Sequence, residues 1–75
     1  MNLSTDLRRV SLWILSKSDE LANNVLKRDI DMYKNLDIKI GRVSIDNWLK
    51  IILDRVDGRE KAAERALTAA VILKT

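Results

Sequence analysis

The fold turns on residues 52–66, ILDRVDGREKAAERA. Three readings are open there. Gly58 can end a helix by taking the left-handed conformation that follows many helix C-termini. Asp57 can instead cap a new helix, with Glu60 three residues on completing a capping box. Or one helix runs through and tolerates the glycine at a cost of ~1 kcal/mol. Before the glycine, apolar residues fall at Ile45, Trp48, Leu49, Ile52, Leu53 and Val56. The stripe resumes in phase at Ala63, Ala66, Leu67, Ala70 and Leu73, with Arg59 as the one intruder. That recovery predicts a continuous or gently kinked helix of about 30 residues beginning at Ser44, with Asp46 in its first turn.

Toward the N-terminus a second long helix is predicted over about Leu3 to Leu36. Apolar residues recur at Leu3, Leu7, Val10, Ile14, Leu21, Val25, Met32 and Leu36, and Ser18 and Asp29 fill the vacant steps. The mean step of ~3.67 residues is close to a straight helix. Asn2, Ser4 or Thr5 supplies the N-cap oxygen, with Asp6 well placed for the helix dipole. Leu15, Ala22, Leu26 and Tyr33 form an adjacent apolar arc, roughly 100° around the axis. Ser16 and Asp19 make a weak capping-box pattern that could break the helix, but the apolar phase survives the gap, so one helix is expected.

Residues 37–43 interrupt the helical period. Ile38 and Ile40 alternate with polar neighbours, and Gly41 can take a positive φ. They read as a loop whose isoleucines tuck into the bundle end, or as a short strand.

Two helices of ~50 Å and ~45 Å, joined by a short loop, form an antiparallel hairpin. The second arc of the first helix would then face water, which is unusual on a monomer. The expectation is an all-α single domain over residues 1–75: a long helical hairpin that dimerises into a four-helix bundle. A three-helix monomeric bundle, broken at Gly58, is the alternative. The expected interface comprises Leu7, Val10, Ile14, Leu21, Val25, Met32, Ile52, Val56, Ala63, Ala66 and Ala70. Within it, Ala62, Ala66 and Ala70 recur every four residues, marking either a close helix contact or simple helix propensity. Asp29 lies on the main stripe. It is expected at the bundle edge in water, since carboxylates are rarely fully buried; if buried, it needs a partner such as Arg28.

Composition limits the chemistry. The 75 residues include no cysteine, histidine or proline, so disulfides, thiolate sites and imidazole ligands or bases are all absent. No Ser–His, Glu-x-x-His or calcium-loop pattern is present, and Glu60 and Glu64 interleave with Lys61 and Arg65 as a solvated ladder. No enzyme activity, cofactor or metal is expected. The net charge of +3 is thinly spread, with basic and acidic residues alternating. With no long apolar run and no secretory pattern, the chain reads as a cytoplasmic protein without a membrane segment.

Residues 37–74, taken as strand, helix, turn and helix, resemble the ribbon-helix-helix family in order of elements, over half of the chain. The resemblance implies paired strands from two chains entering the DNA major groove, with Lys39 and Arg42 as contacts. Gly41 departs from what a strand favours, and a long preceding helix is not part of the family's minimal pattern. The principal expectation is a homodimeric protein-interaction or structural protein, or an adaptor for another protein's helix. A small DNA-binding dimer is the alternative.

Overall fold

The computed structural model describes residues 3–74. Four helices and one β-hairpin follow one another: α1 (Leu3–Leu15), α2 (Asp19–Tyr33), β1 (Lys39–Ile40), β2 (Val43–Ser44), α3 (Ile45–Leu53) and α4 (Arg59–Lys74). The largest dimension is 30 Å, so neither of the expected helices of ~50 Å and ~45 Å exists. The long hairpin is therefore corrected: each predicted helix is two helices, folded back on each other. A single chain arranges four helices, with α1 packed on α4 and α2, and α3 on α2 and α4.

Both breaks use the same device. Lys17 takes φ 64°. The Ser18 amide donates to the Trp13 carbonyl at 2.7 Å and the Lys17 amide to Ile14 at 3.2 Å. These are the two bonds of a Schellman ending. After α3, Arg55 takes φ 53°. There the Val56 amide donates to Ile51 and the Arg55 amide to Ile52. α3 thus ends at Leu53, five residues before Gly58. Gly58, at φ 97°, leads into α4, and its carbonyl accepts the first turn's bond from Ala62. Besides Gly41 and Gly58, left-handed positions are filled by Lys17, Arg55 and Asp57; aspartate tolerates that region better than most residues, whereas lysine and arginine give no such signal. Of the proposed first caps, Ser4 and Thr5 lie inside α1 and Asn2 lies outside the described residues.

The first break also rotates the helix frame. Leu3, Leu7, Val10 and Ile14 enter the core from α1. Beyond the turn, the arc carrying Ala22 and Leu26 is the one that turns inward, while Leu21 and Met32 of the expected stripe stay exposed. Ala22 and Leu26 of the second arc are thus covered within one chain, so no partner is needed to bury them, while Leu15, Leu21, Met32 and Leu36 of the two arcs remain exposed.

The alanine stripe is a close helix contact. Ala62, Ala63, Ala66, Ala69 and Ala70 are all buried. Small side chains let the α1 and α4 backbones approach, near enough for two serines of α1 to reach α4 carbonyls. Ser4 donates to Ala70 at 2.6 Å and Ser11 to Ala63 at 3.0 Å. These bonds, seven residues apart on each helix, fix an antiparallel register.

Residues 38–45 form a hairpin. Lys39 pairs with Ser44 and Ile40 with Val43. Gly41, at φ 65°, occupies the first place of the two-residue loop, where a II′-type turn favours glycine. Ile40 is buried and Ile38 packs on the core, so the strand and the tucked isoleucines are one feature. Ser44 precedes α3 with extended backbone, as expected, although its hydroxyl makes no capping bond.

Candidate functional site

Three arrangements outside ordinary core packing are present. The first is an acidic pair between α1 and α2. Asp29 follows Leu26 by three residues and shares its inward face, so its side chain is 0% exposed. Asp6, on the α2 side of α1, is also buried. Arg28 joins them: its Nη2 donates to Asp6 Oδ2 at 3.1 Å, and its Nε lies 3.5 Å from Asp29 Oδ1. Neither Asp29 oxygen accepts a hydrogen bond. The expectation that Asp29 sits in water is overturned, because the break at Lys17 rotates it inward. Burial pushes its carboxyl up to about 6, the Asp6 charge adds to the shift, and the Arg28 charge opposes it. A carboxyl titrating near neutrality suits proton transfer. This one is sealed among side chains, so its proton bears on helix pairing instead.

The second is a clamp at the end of the bundle where α1, α2, α3 and α4 meet. Arg59, the intruder in the apolar stripe, donates through Nη1 and Nη2 to both Asp19 oxygens at 2.7 and 2.9 Å. The same Nη1 donates to the Ile14 carbonyl at 2.7 Å, closing the last turn of α1. Arg55 donates to Asp19 at 3.3 Å, to Asn23 at 2.9 Å and to the carbonyls of Ile52 and Leu53. Two arginines thus satisfy carbonyls at the ends of two helices and tie both to the start of α2. The Arg59 hydrogen bonds lead in holding the Asp19 carboxyl down at about 2, with Arg55 assisting against partial desolvation.

The third is an open groove of about 280 Å³ along the seam of α1 and α4, lined by Ser11, Leu15, Glu60, Ala63, Glu64 and Leu67. Leu12, Leu15, Leu67 and Val71 are large apolar residues left exposed on these two helices. Glu64 faces Lys61 at 3.6 Å, an exposed pair.

The residues expected at an oligomer interface divide. Leu7, Val10, Ile14, Ile52, Ala63, Ala66 and Ala70 are buried inside one chain, so they have no surface to offer a second one. Val25 is partly buried, and Leu21, Met32 and Val56 are exposed. Their periodicity marked the core, which sequence alone does not separate from an interface. Lys39 and Arg42 are exposed on the hairpin. Here β1 pairs with β2 of its own chain, unlike the strand of the ribbon-helix-helix arrangement.

Among the described residues, no group of three or more His, Cys, Asp or Glu could hold a metal ion. No helix of them is long and apolar enough to cross a membrane. No family model matches the chain, and neither a curated protein nor a solved structure is similar to it. The class its own geometry defines is a small helical bundle with a β-hairpin between its second and third helices.

Proposed function

We propose that this chain is a small, non-catalytic protein-interaction module that works as a homo-oligomer. One observation carries the reading. After four helices have packed, nine large apolar side chains among the described residues remain more than two-fifths exposed, Leu12, Leu15, Leu67 and Val71 among them. Five of them, Leu12, Leu15, Leu67, Val71 and Ile72, belong to the adjoining helices α1 and α4, and apolar side chains exposed side by side are what an interaction face supplies. The polar arrangements favour the same reading. The sealed Asp29 and the Arg55–Asp19–Arg59 clamp hold helices in place and present no reactive group beside a substrate cavity. Sedimentation equilibrium at micromolar concentration tests it: the expected mass is a multiple of the 8.6 kDa chain, and a monomer at all concentrations refutes homo-oligomerisation.

The DNA-binding alternative rests on Lys39 and Arg42 of the hairpin. It requires binding that weakens steeply with salt. No salt-sensitive shift on mixed-sequence DNA at low salt refutes it.

A further inference from the structure

The α1–α4 seam carries a charge pattern that complements itself. The Ser4–Ala70 and Ser11–Ala63 bonds set Arg8 of α1 level with Ala66 of α4. Arg8 is exposed and lies one turn before Leu12, on the flank of α1 that borders the groove. Across the groove, Glu64 lies on the flank of α4, one turn after Glu60 and three residues before Leu67. Glu64 is two residues, about 3 Å, along α4 from Ala66, so each side of the seam has a charge at nearly the same level, basic on α1 and acidic on α4. Leu15 and Leu67 line the groove between them.

We infer that this seam docks a second copy of the chain, about a two-fold axis running along the groove. Such an axis carries α1 of each copy over α4 of the other. Residues beside the axis, Leu15 and Leu67, meet their own counterparts and form the apolar centre. Arg8 passes over Glu64 of the other copy, and the same pair recurs on the far side. Glu64 is free to change partners, since its contact with Lys61 is long and exposed. The result is a four-helix contact of α1, α4 and their counterparts, antiparallel within and between copies. It rests on the homo-oligomer reading above and adds the surface and the partner. Polar or charged alternatives at the seam fit less well: a basic peptide would satisfy Glu60 and Glu64 but oppose Arg8.

The test is a charge exchange read by sedimentation and native mass spectrometry on the full chain. Arg8→Glu alone sets acid against acid at both crossings, and Glu64→Arg alone sets base against base. Each single variant is expected to dissociate at least tenfold more readily than the original chain. An equimolar mixture of the two is expected to form the mixed pair, in which both crossings are again opposite in sign. Both substitutions lie on exposed helix positions, and helical circular dichroism checks that each variant is folded. Leu67→Lys is expected to yield monomers, whereas Met32→Lys, on the exposed face of α2, leaves the mass unchanged. If Leu67→Lys and both single charge variants keep the original mass, a different surface is used: the homo-oligomer reading stands and this one falls. If the original chain is monomeric, both fall. Singles that dissociate but give no mixed pair overturn the crossing of Arg8 over Glu64.

Discussion

Replacing Asp29 by asparagine should make the protein more stable at neutral pH. The Asp29 carboxyl is fully enclosed and its pKa rises from 3.8 to about 6. A folded-state pKa above the unfolded one means that the folded chain holds the proton more tightly. The stabilisation from this group is therefore complete below about pH 4 and is lost as pH rises through about 6. The difference between the two values, at 1.36 kcal/mol for each pKa unit, gives about 3 kcal/mol lost by pH 7. Asparagine has nearly the same shape and no charge, and its amide can donate to Asp6. Asp29→Asn is expected to gain about 2 to 3 kcal/mol at pH 7, which for a domain of this size is on the order of 10 °C in Tm. Near pH 4 it should gain little, because the native acid is already protonated. Urea denaturation followed by circular dichroism between pH 4 and 8 measures both. The wild-type curve should lose stability on going from pH 4 to 7, and the variant should lack that loss. The exposed Asp31→Asn serves as a control. If Asp29→Asn destabilises the protein at pH 7, the Arg28–Asp29 contact is a net favourable ion pair and the reasoning from burial is wrong.

Three further outcomes are expected. Lys17→Gly should raise stability by about 1 kcal/mol, since a left-handed backbone costs an L-residue roughly that much and glycine nothing sterically; an unchanged or lower urea midpoint would show the turn to be unstrained. Ala66→Leu should lower stability by about 1 to 3 kcal/mol, because overfilling the close α1–α4 contact forces the helices apart, and an unchanged thermal midpoint would mean that the alanines reflect helix propensity alone. Arg59→Met should lower the thermal midpoint and reduce the clamp's acid sensitivity, leaving only the weaker Arg55 contact to Asp19. The Asp19 pKa is depressed, so its stabilisation is present above the unfolded value near 4 and declines as pH falls toward about 2; an acid-unfolding curve identical to wild type would show that the clamp does not hold the bundle end.

Much of the core was legible in advance. The stripe Leu3, Leu7, Val10 and Ile14, the apolar face of α3 and the alanines of α4 are all inside, as helical periodicity requires. The breaks were visible only as alternatives, at the Ser16–Asp19 pattern and at Gly58. Chain reversals usually announce themselves with glycine or proline, but here Lys17 and Arg55 take the left-handed positions, and their side-chain chemistry does not encode φ. The apolar phase carried across 16–18 on paper, while the turn redirected the chain and changed which arc faced inward. The same turn carries Asp29 from the expected solvent edge into the core. Arg59 was visible as an intruder in the stripe, but its partners, Ile14 and Asp19, are 45 and 40 residues away.

By itself the sequence determined that the chain is helical, that its core is aliphatic, that residues 38–44 depart from helix, and that histidine and thiol chemistry are absent. These follow from residue type and spacing, which act over a few neighbours. The tertiary structure decided that four helices pack within one chain, that Asp29 is sealed beside Asp6, and that Leu15 and Leu67 line a groove along the α1–α4 seam. Each of these depends on the direction of the chain after a turn. A few backbone dihedrals set that direction, and packing between distant segments selects them.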